Sequence, residues 1–308
     1  MSDAISTLRP GIAAFVAGTL SALLFVAVLS NSLGGMILFG MAQLPLYLVA
    51  LSLGPGFAAA AAVWAFGVLV PSISLVGALG FLVWAAIPVL AVTATALRSQ
   101  RPNPGLLVLA LTGIVITAFI AADVVNAGVS GGLEARIRGW MAPMLMHGAS
   151  KAAIRQINGL LLFVPSMIGC FALLISVGNG ILAQGALSRF RLNRWPSPRM
   201  ASLTIPRWVS IAFVVTLTAG IAGAGEVRFV GSNLAILIAV PLMFGGFAAL
   251  HDWTSRHPTY WAVLPGVYAM CLVSGGWPIP VIVALGIVDQ WFGIRQRQAK
   301  PTGEKYDG

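Results

Sequence analysis

The sequence predicts an all-α protein, a polytopic transmembrane helix bundle of about ten spans (eight to ten fit the hydropathy), with both termini cytoplasmic. Three observations carry that expectation. The 308 residues are 58% apolar and only 8% charged, with a mean hydropathy of +0.93, whereas a soluble domain is roughly 25% charged. Uncharged apolar runs recur from one end of the chain to the other, so lipid is the solvent and the spanning backbone must satisfy itself as helix. The basic residues gather between those runs, above all in residues 188–208, which hold Arg189, Arg191, Arg194, Arg199 and Arg207, three prolines and no acid. The apolar runs are continuous and do not alternate, which argues against a β-barrel.

Taken in order, the candidate spans are 11–30, 36–53, 56–71, 73–97, 105–125, 158–187, 207–225, 229–249, 259–274 and 278–294. The runs at 56–71 and 259–274 are short for a hydrocarbon core of about 30 Å. Arg9 ahead of the first run resembles the start of a signal peptide, but the run is long for a signal core and a second apolar run follows, so an uncleaved first span is expected. Placing 188–207 in the cytoplasm also puts there 98–104 with Arg98 and Arg101, 250–258 with Arg256, the N-terminus with Arg9, and the tail with Arg295, Arg297, Lys300 and Lys305. These basic regions agree with the positive-inside rule.

Residues 126–157 do not agree, because they land outside while carrying Arg136, Arg138, Lys151 and Arg155 against Glu134. Apolar and basic residues interleave at near-helical spacing from 133 to 157, with Trp140, Met141, Met144, Leu145 and Met146 among them. That pattern reads as an interfacial amphipathic segment interrupted near Pro143. The alternative is a miscounted span with this loop inside. The expected organisation is a six-span bundle over 1–187, a basic cytoplasmic linker at 188–206, a four-span bundle over 207–294 and a polar tail at 295–308.

The net charge of +10 is the topological signal of the loops. No basic domain supports nucleic-acid binding, and the bilayer with its anionic lipid head groups is the expected partner of the arginines. Cys170 and Cys271 each lie within an apolar run, which leaves neither a disulfide nor a zinc pattern. Small residues repeat every four positions in the first span, Ala13, Ala17, Ser21 and Ala14, Gly18, Ala22, so helix backbones can approach closely there. That face serves packing within the chain or the docking of a partner.

Ionisable and amide groups inside a span are costly and therefore candidates for function. Asp123 and Asn126 sit three apart on one helix face at the end of the fifth span, and Asn158 opens the next. These three form the candidate substrate-binding set, and Gln43 and Asn179 add polar groups at depth. Asp289 and Arg295 read as a pair holding the end of the last helix. His251, Asp252, Arg256 and His257 form a polar turn whose spacing matches no zinc site. Gly128, Ser130 and Gly132 spell G-x-S-x-G without the preceding strand of a nucleophile elbow, so a turn is expected. No enzyme, cofactor or metal site is expected.

The span opened by Pro206 and Trp208, and the ending with Gly286, Asp289 and Arg295, resemble the YybS-like family of bacterial membrane proteins. The first half is similar to substrate-capture components of energy-coupling-factor transporters, which have six helices, both termini inside and an AxxxA face on the first helix. The resemblance implies a bacterial inner-membrane protein that binds a small, vitamin-like molecule from outside, near the fifth and sixth spans. It also implies a transmembrane coupling subunit docked on Ala13 and Ala17. The four further spans depart from that plan. A non-transporting membrane factor that recruits cytoplasmic partners or anionic lipids through residues 188–208 is the other expected class.

Overall fold

The computed structural model describes residues 2–97, 103–128, 131–145, 159–192, 194, 197, 200–257 and 260–295, and all its regular elements are helical. The helices are α1 (Ser2–Val26, continued by a 3₁₀ turn Ala27–Ser30), α2 (Leu33–Gly40), α3 (Leu44–Ser52), α4 (Pro55–Ser72) and α5 (Leu75–Phe81). A π turn, Leu82–Ala86, joins α5 to α6 (Ile87–Leu97). There follow α7 (Pro104–Asn126), α8 (Gly132–Leu145), α9 (Val164–Arg189), α10 (Trp208–Ala222), α11 (Gly225–Arg256), α12 (Val263–Val273) and α13 (Ile279–Phe292).

Among the described residues seven apolar segments are long enough to cross a bilayer: Pro10–Ser30, Leu33–Ser52, Pro55–Ser72, Leu75–Ala96, Pro104–Asn126, Val164–Arg189 and Gly225–Arg256. Helix length and hydropathy thus make this a multi-pass membrane protein. Three further apolar helices, α10, α12 and α13, have 15, 11 and 14 residues. At about 1.5 Å per residue they reach roughly 22, 17 and 21 Å. The fourth helix, with Pro55 at its start, has 18 residues and reaches about 27 Å, and α12, within the other run read as short, has 11.

The chain divides into two compact units, with one cut inside the 188–206 linker and further cuts earlier in the chain. The first comprises Met1–Pro102, Gly113–Val115 and Phe171–Pro198; the second comprises Asn103–Thr112, Ile116–Cys170 and Arg199–Gly308. Within the first, α1 lies against α4 with α3 beside them, around Ala14, Ala17, Ala22, Ala58, Ala61 and Ala65. Lipid tails supply no hydrophobic drive between helices, so close packing and hydrogen bonds must do so. Gly18 permits the approach, because a Cβ there would overlap the carbonyl of Ala61. Trp64 then donates its indole N–H to the Thr19 hydroxyl at 2.9 Å.

In the second unit α11 packs against both α10 and α13, and Val209, Leu242 and Val283 of the three helices share one core. Both contacts run through glycine. A Cβ at Gly231 would stand 2.7 Å from the Gly220 nitrogen, and one at Gly246 would overlap the Ile282 carbonyl oxygen. Asn233, fully buried on α11, caps the start of α9 by accepting from the Ser166 amide at 2.9 Å and donating to the Leu162 carbonyl at 2.9 Å. This satisfies a helix end that lipid cannot.

Candidate functional site

Two prolines build the most polar place inside the first unit. Pro45 has no N–H to return to the carbonyl of Met41, four residues earlier, so the segment Leu33–Ser52 breaks at residues 41–43. The Leu44 amide turns to Met41 instead, at 3.0 Å, which leaves the carbonyl of Gly40 without its helical donor. Pro88 likewise strands the carbonyl of Trp84, and the π turn follows, with the Ile87 amide reaching back to Leu82. Both interruptions fall near the middle of their apolar segments.

Side chains from other helices take up the freed carbonyls. Gln43, fully buried, donates to the Trp84 carbonyl at 2.7 Å and accepts from the Ser176 hydroxyl at 2.5 Å. Asn179, one turn further along α9, donates to the Gly40 carbonyl at 2.7 Å and to that of Ile175 at 2.8 Å. Ser21 of α1 donates to the Ala42 carbonyl, and Tyr47 is buried in the same unit. Two buried atoms of the cluster have no partner among the described residues: the indole Nε1 of Trp84 and the amide oxygen Oδ1 of Asn179. Aromatic rings flank them. Trp84 stacks on Phe39 at 4.7 Å and lies 6.1 Å from Phe171, and Phe25 stands 5.4 Å from both Phe39 and Phe81. The named groups carry no charge.

Asp123 and Asn126 are both buried, at 9% exposure. The Asn126 amide is spent on its own helix, donating to the Ala122 carbonyl at 2.7 Å, while Asp123 keeps one oxygen, Oδ1, buried and unpartnered. Glu226, exposed at the start of α11, is near enough for the two carboxylates to repel. Asn158 lies outside the described residues, as do Ser130, His147, Arg199 and the tail beyond Arg295. Ala17 is buried inside the first unit and Ala13 half-buried, with the outward side of α1 formed by Ile12, Val16, Leu20 and Leu23.

The arginines of the 188–208 stretch have separate fates. Arg189 and Arg191 are exposed, and neither forms an ion pair with a described residue. Arg194 donates to the Leu53 carbonyl at 2.7 Å, placing its charge at the C-terminal end of α3. The Arg207 guanidinium lies 5.6 Å from the centre of the Trp291 ring. Asp289 and Arg295 form an ion pair at 2.7 Å, which the Arg295 amide strengthens by donating to the same carboxylate at 3.1 Å. On α8, Glu134 and Arg138 pair at 2.6 Å one turn apart, and Trp140 is exposed.

Among the described residues no three His, Cys, Asp or Glu side chains converge on a metal-sized site. Sequence reasoning named Gln43 and Asn179 but missed Trp84, Ser176 and Glu226. The two prolines inside apolar runs were the available signal for Trp84, since each proline orphans the carbonyl four residues before it. Fold and site thus define a multi-pass helical membrane protein with a neutral polar cluster held within its first compact unit. No protein-family model, curated protein or solved structure matches the chain.

Proposed function

We propose that the protein captures a small, neutral, vitamin-like molecule and serves as the binding component of a transport system, as the resemblance to the YybS-like family and to energy-coupling-factor substrate-capture components implies. The observation that carries this reading is the pair of unpartnered atoms, Trp84 Nε1 and Asn179 Oδ1, in a cluster assembled from interrupted spans. An unsatisfied buried polar atom costs about 1–3 kcal/mol, and non-helical backbone at membrane depth is tolerated where it is buried in protein or lines a cavity. A ligand that pairs both atoms relieves that cost on binding. On this reading all ten apolar helices cross or enter the bacterial cytoplasmic membrane, both termini are inside, and energy comes from a membrane partner. Since Ala17 is enclosed by the protein's own helices, the partner meets the Ile12–Val16–Leu23 side of α1.

The test is mass spectrometry of small molecules retained on gentle purification. Wild-type protein is expected to carry a heteroaromatic or amide-bearing compound. Trp84→Phe, which removes the N–H together with the fused ring, and Asn179→Leu, which removes the acceptor together with the amide donations to Gly40 and Ile175, are each expected to weaken its binding about tenfold or more, at least the worth of one hydrogen bond. Retention equal to wild type in both variants would discard the site.

A second reading places the ligand, or a coupled cation, at Asp123 and Asn126, and the unpartnered Asp123 oxygen favours it. Asp123→Asn keeps the shape and removes the charge. If that variant binds the retained compound as wild type does, Asp123 is not part of the binding site.

A further inference from the structure

Outside the first unit, the last helix and the stretch before α10 enclose a cavity of about 570 Å³, lined among others by Thr204, Arg207, Gly245, Gly286, Gln290 and Trp291. Its walls are built and fastened. The Gln290 amide donates to the carbonyls of Ile205 at 2.9 Å and Pro206 at 2.5 Å, and Arg295 donates to that of Leu203 at 2.8 Å. Asn103 holds Thr204 from the other side through three hydrogen bonds. Beside the cavity α11 and α13 approach closely, since a Cβ on Gly245 would stand 3.3 Å from the Ile205 side chain and 3.8 Å from the Gly286 Cα.

The chemistry offered by this cavity is asymmetric. Asp289 is consumed by Arg295, so the second cation, Arg207, sets the net charge. It has no ion-pair partner among the described residues and only the Trp291 indole beside it. Gln290 presents its oxygen, Oε1, buried and without a donor. A fitting ligand therefore carries one negative charge for a guanidinium, which suits a phosphate diester, and a hydroxyl or ammonium for Gln290. Trp208, Trp291 and Phe292 stand exposed near the mouth at 58%, 46% and 59%. Aromatic side chains at helix ends are the hallmark of the membrane–water interface, where a phosphate diester with an attached donor is a glycerophospholipid head group.

We propose that this cavity is a specific glycerophospholipid site, with the phosphate on Arg207, the head-group donor on Gln290 and the acyl chains leaving past Trp291 and Phe292. This inference does not depend on the capture reading and is tested apart from it. The full-length protein is placed in phosphatidylcholine nanodiscs containing phosphatidylglycerol, transferred to detergent and examined by native mass spectrometry. One phosphatidylglycerol is expected to survive dilution on wild-type protein, and Arg207→Gln is expected to weaken its retention on the order of tenfold. Arg228→Gln, which removes an equal exposed charge elsewhere, is expected to leave it unchanged. Equal losses in the two variants would show general surface attraction and overturn the proposal, as would no preferential retention by wild type. Inorganic phosphate and glycerol phosphate form the second arm: Arg207-dependent binding of either, without lipid retention, would reassign the cavity to a soluble phosphate and equally overturn the lipid site.

Discussion

At the scale of single residues, the ion pair at the end of α13 shows how a local spacing becomes a tertiary contact. Residues six apart do not share a face of a straight helix. Gly293, in the left-handed region at φ 61°, ends α13 and turns the chain so that Arg295 folds back on Asp289. Both side chains are largely enclosed, at 14% and 6% exposure. Arg295→Ala therefore leaves a buried carboxylate uncompensated, a change expected to cost about 3 kcal/mol or more. Asp289→Leu with Arg295→Leu removes both charges and is expected to cost clearly less. Thermal unfolding in one detergent compares them, and a double variant as unstable as Arg295→Ala would contradict the account. This contact was legible in the sequence because the acid, the glycine and the arginine are close in the chain. The Trp84 indole was not, since its lack of a partner depends on where Gln43, Ser176 and Phe39 arrive from other helices.

At the scale of elements, the prolines and glycines decide more than the apolar residues, which are uniform enough to pack in many ways. Positions of the apolar helices could be read from hydropathy, and small-residue spacing could be read on α1. Neither says which helix the small face meets, because packing without a hydrophobic drive depends on the match of two surfaces. Here the match for α1 is α4, and for α13 it is α11. Gly286 makes the second contact, since a Cβ on it would overlap the Leu242 carbonyl. Gly286→Val is expected to part α13 from α11 and to lower the unfolding temperature, with a cost of about 1–3 kcal/mol typical of overpacking. Pro88→Ala acts in the opposite way. It restores a donor to the Trp84 carbonyl and is expected to regularise the π turn, releasing Gln43 and weakening ligand retention without loss of thermal stability. An unfolding temperature that falls together with retention would mean that the proline only supports packing.

At the scale of the whole molecule, orientation rests on parity. Between α8 and residue 188 the described residues contain one long apolar helix, α9. The 14 residues of α8 extend about 21 Å and include Glu134, Arg136 and Arg138, too short and too charged to cross. With α9 as the crossing between them, we propose that residues 132–145 and the basic stretch from 188 onward face opposite sides of the bilayer. Residues 188–208 carry the larger charge, and the charge of α8 is partly cancelled by the Glu134–Arg138 pair. On that proposal the positive-inside rule assigns residues 188–208 to the cytoplasm and α8 to the outer surface. Cysteine labelling decides the matter on a background in which Cys170 and Cys271 are serine. Arg136→Cys is expected to react with an impermeant maleimide on intact cells, and Ser188→Cys only after permeabilisation. Protection of both positions would mean that a further segment crosses between them, and the reverse pattern would invert the protein and carry Asp123 and Glu226 to the cytoplasmic face.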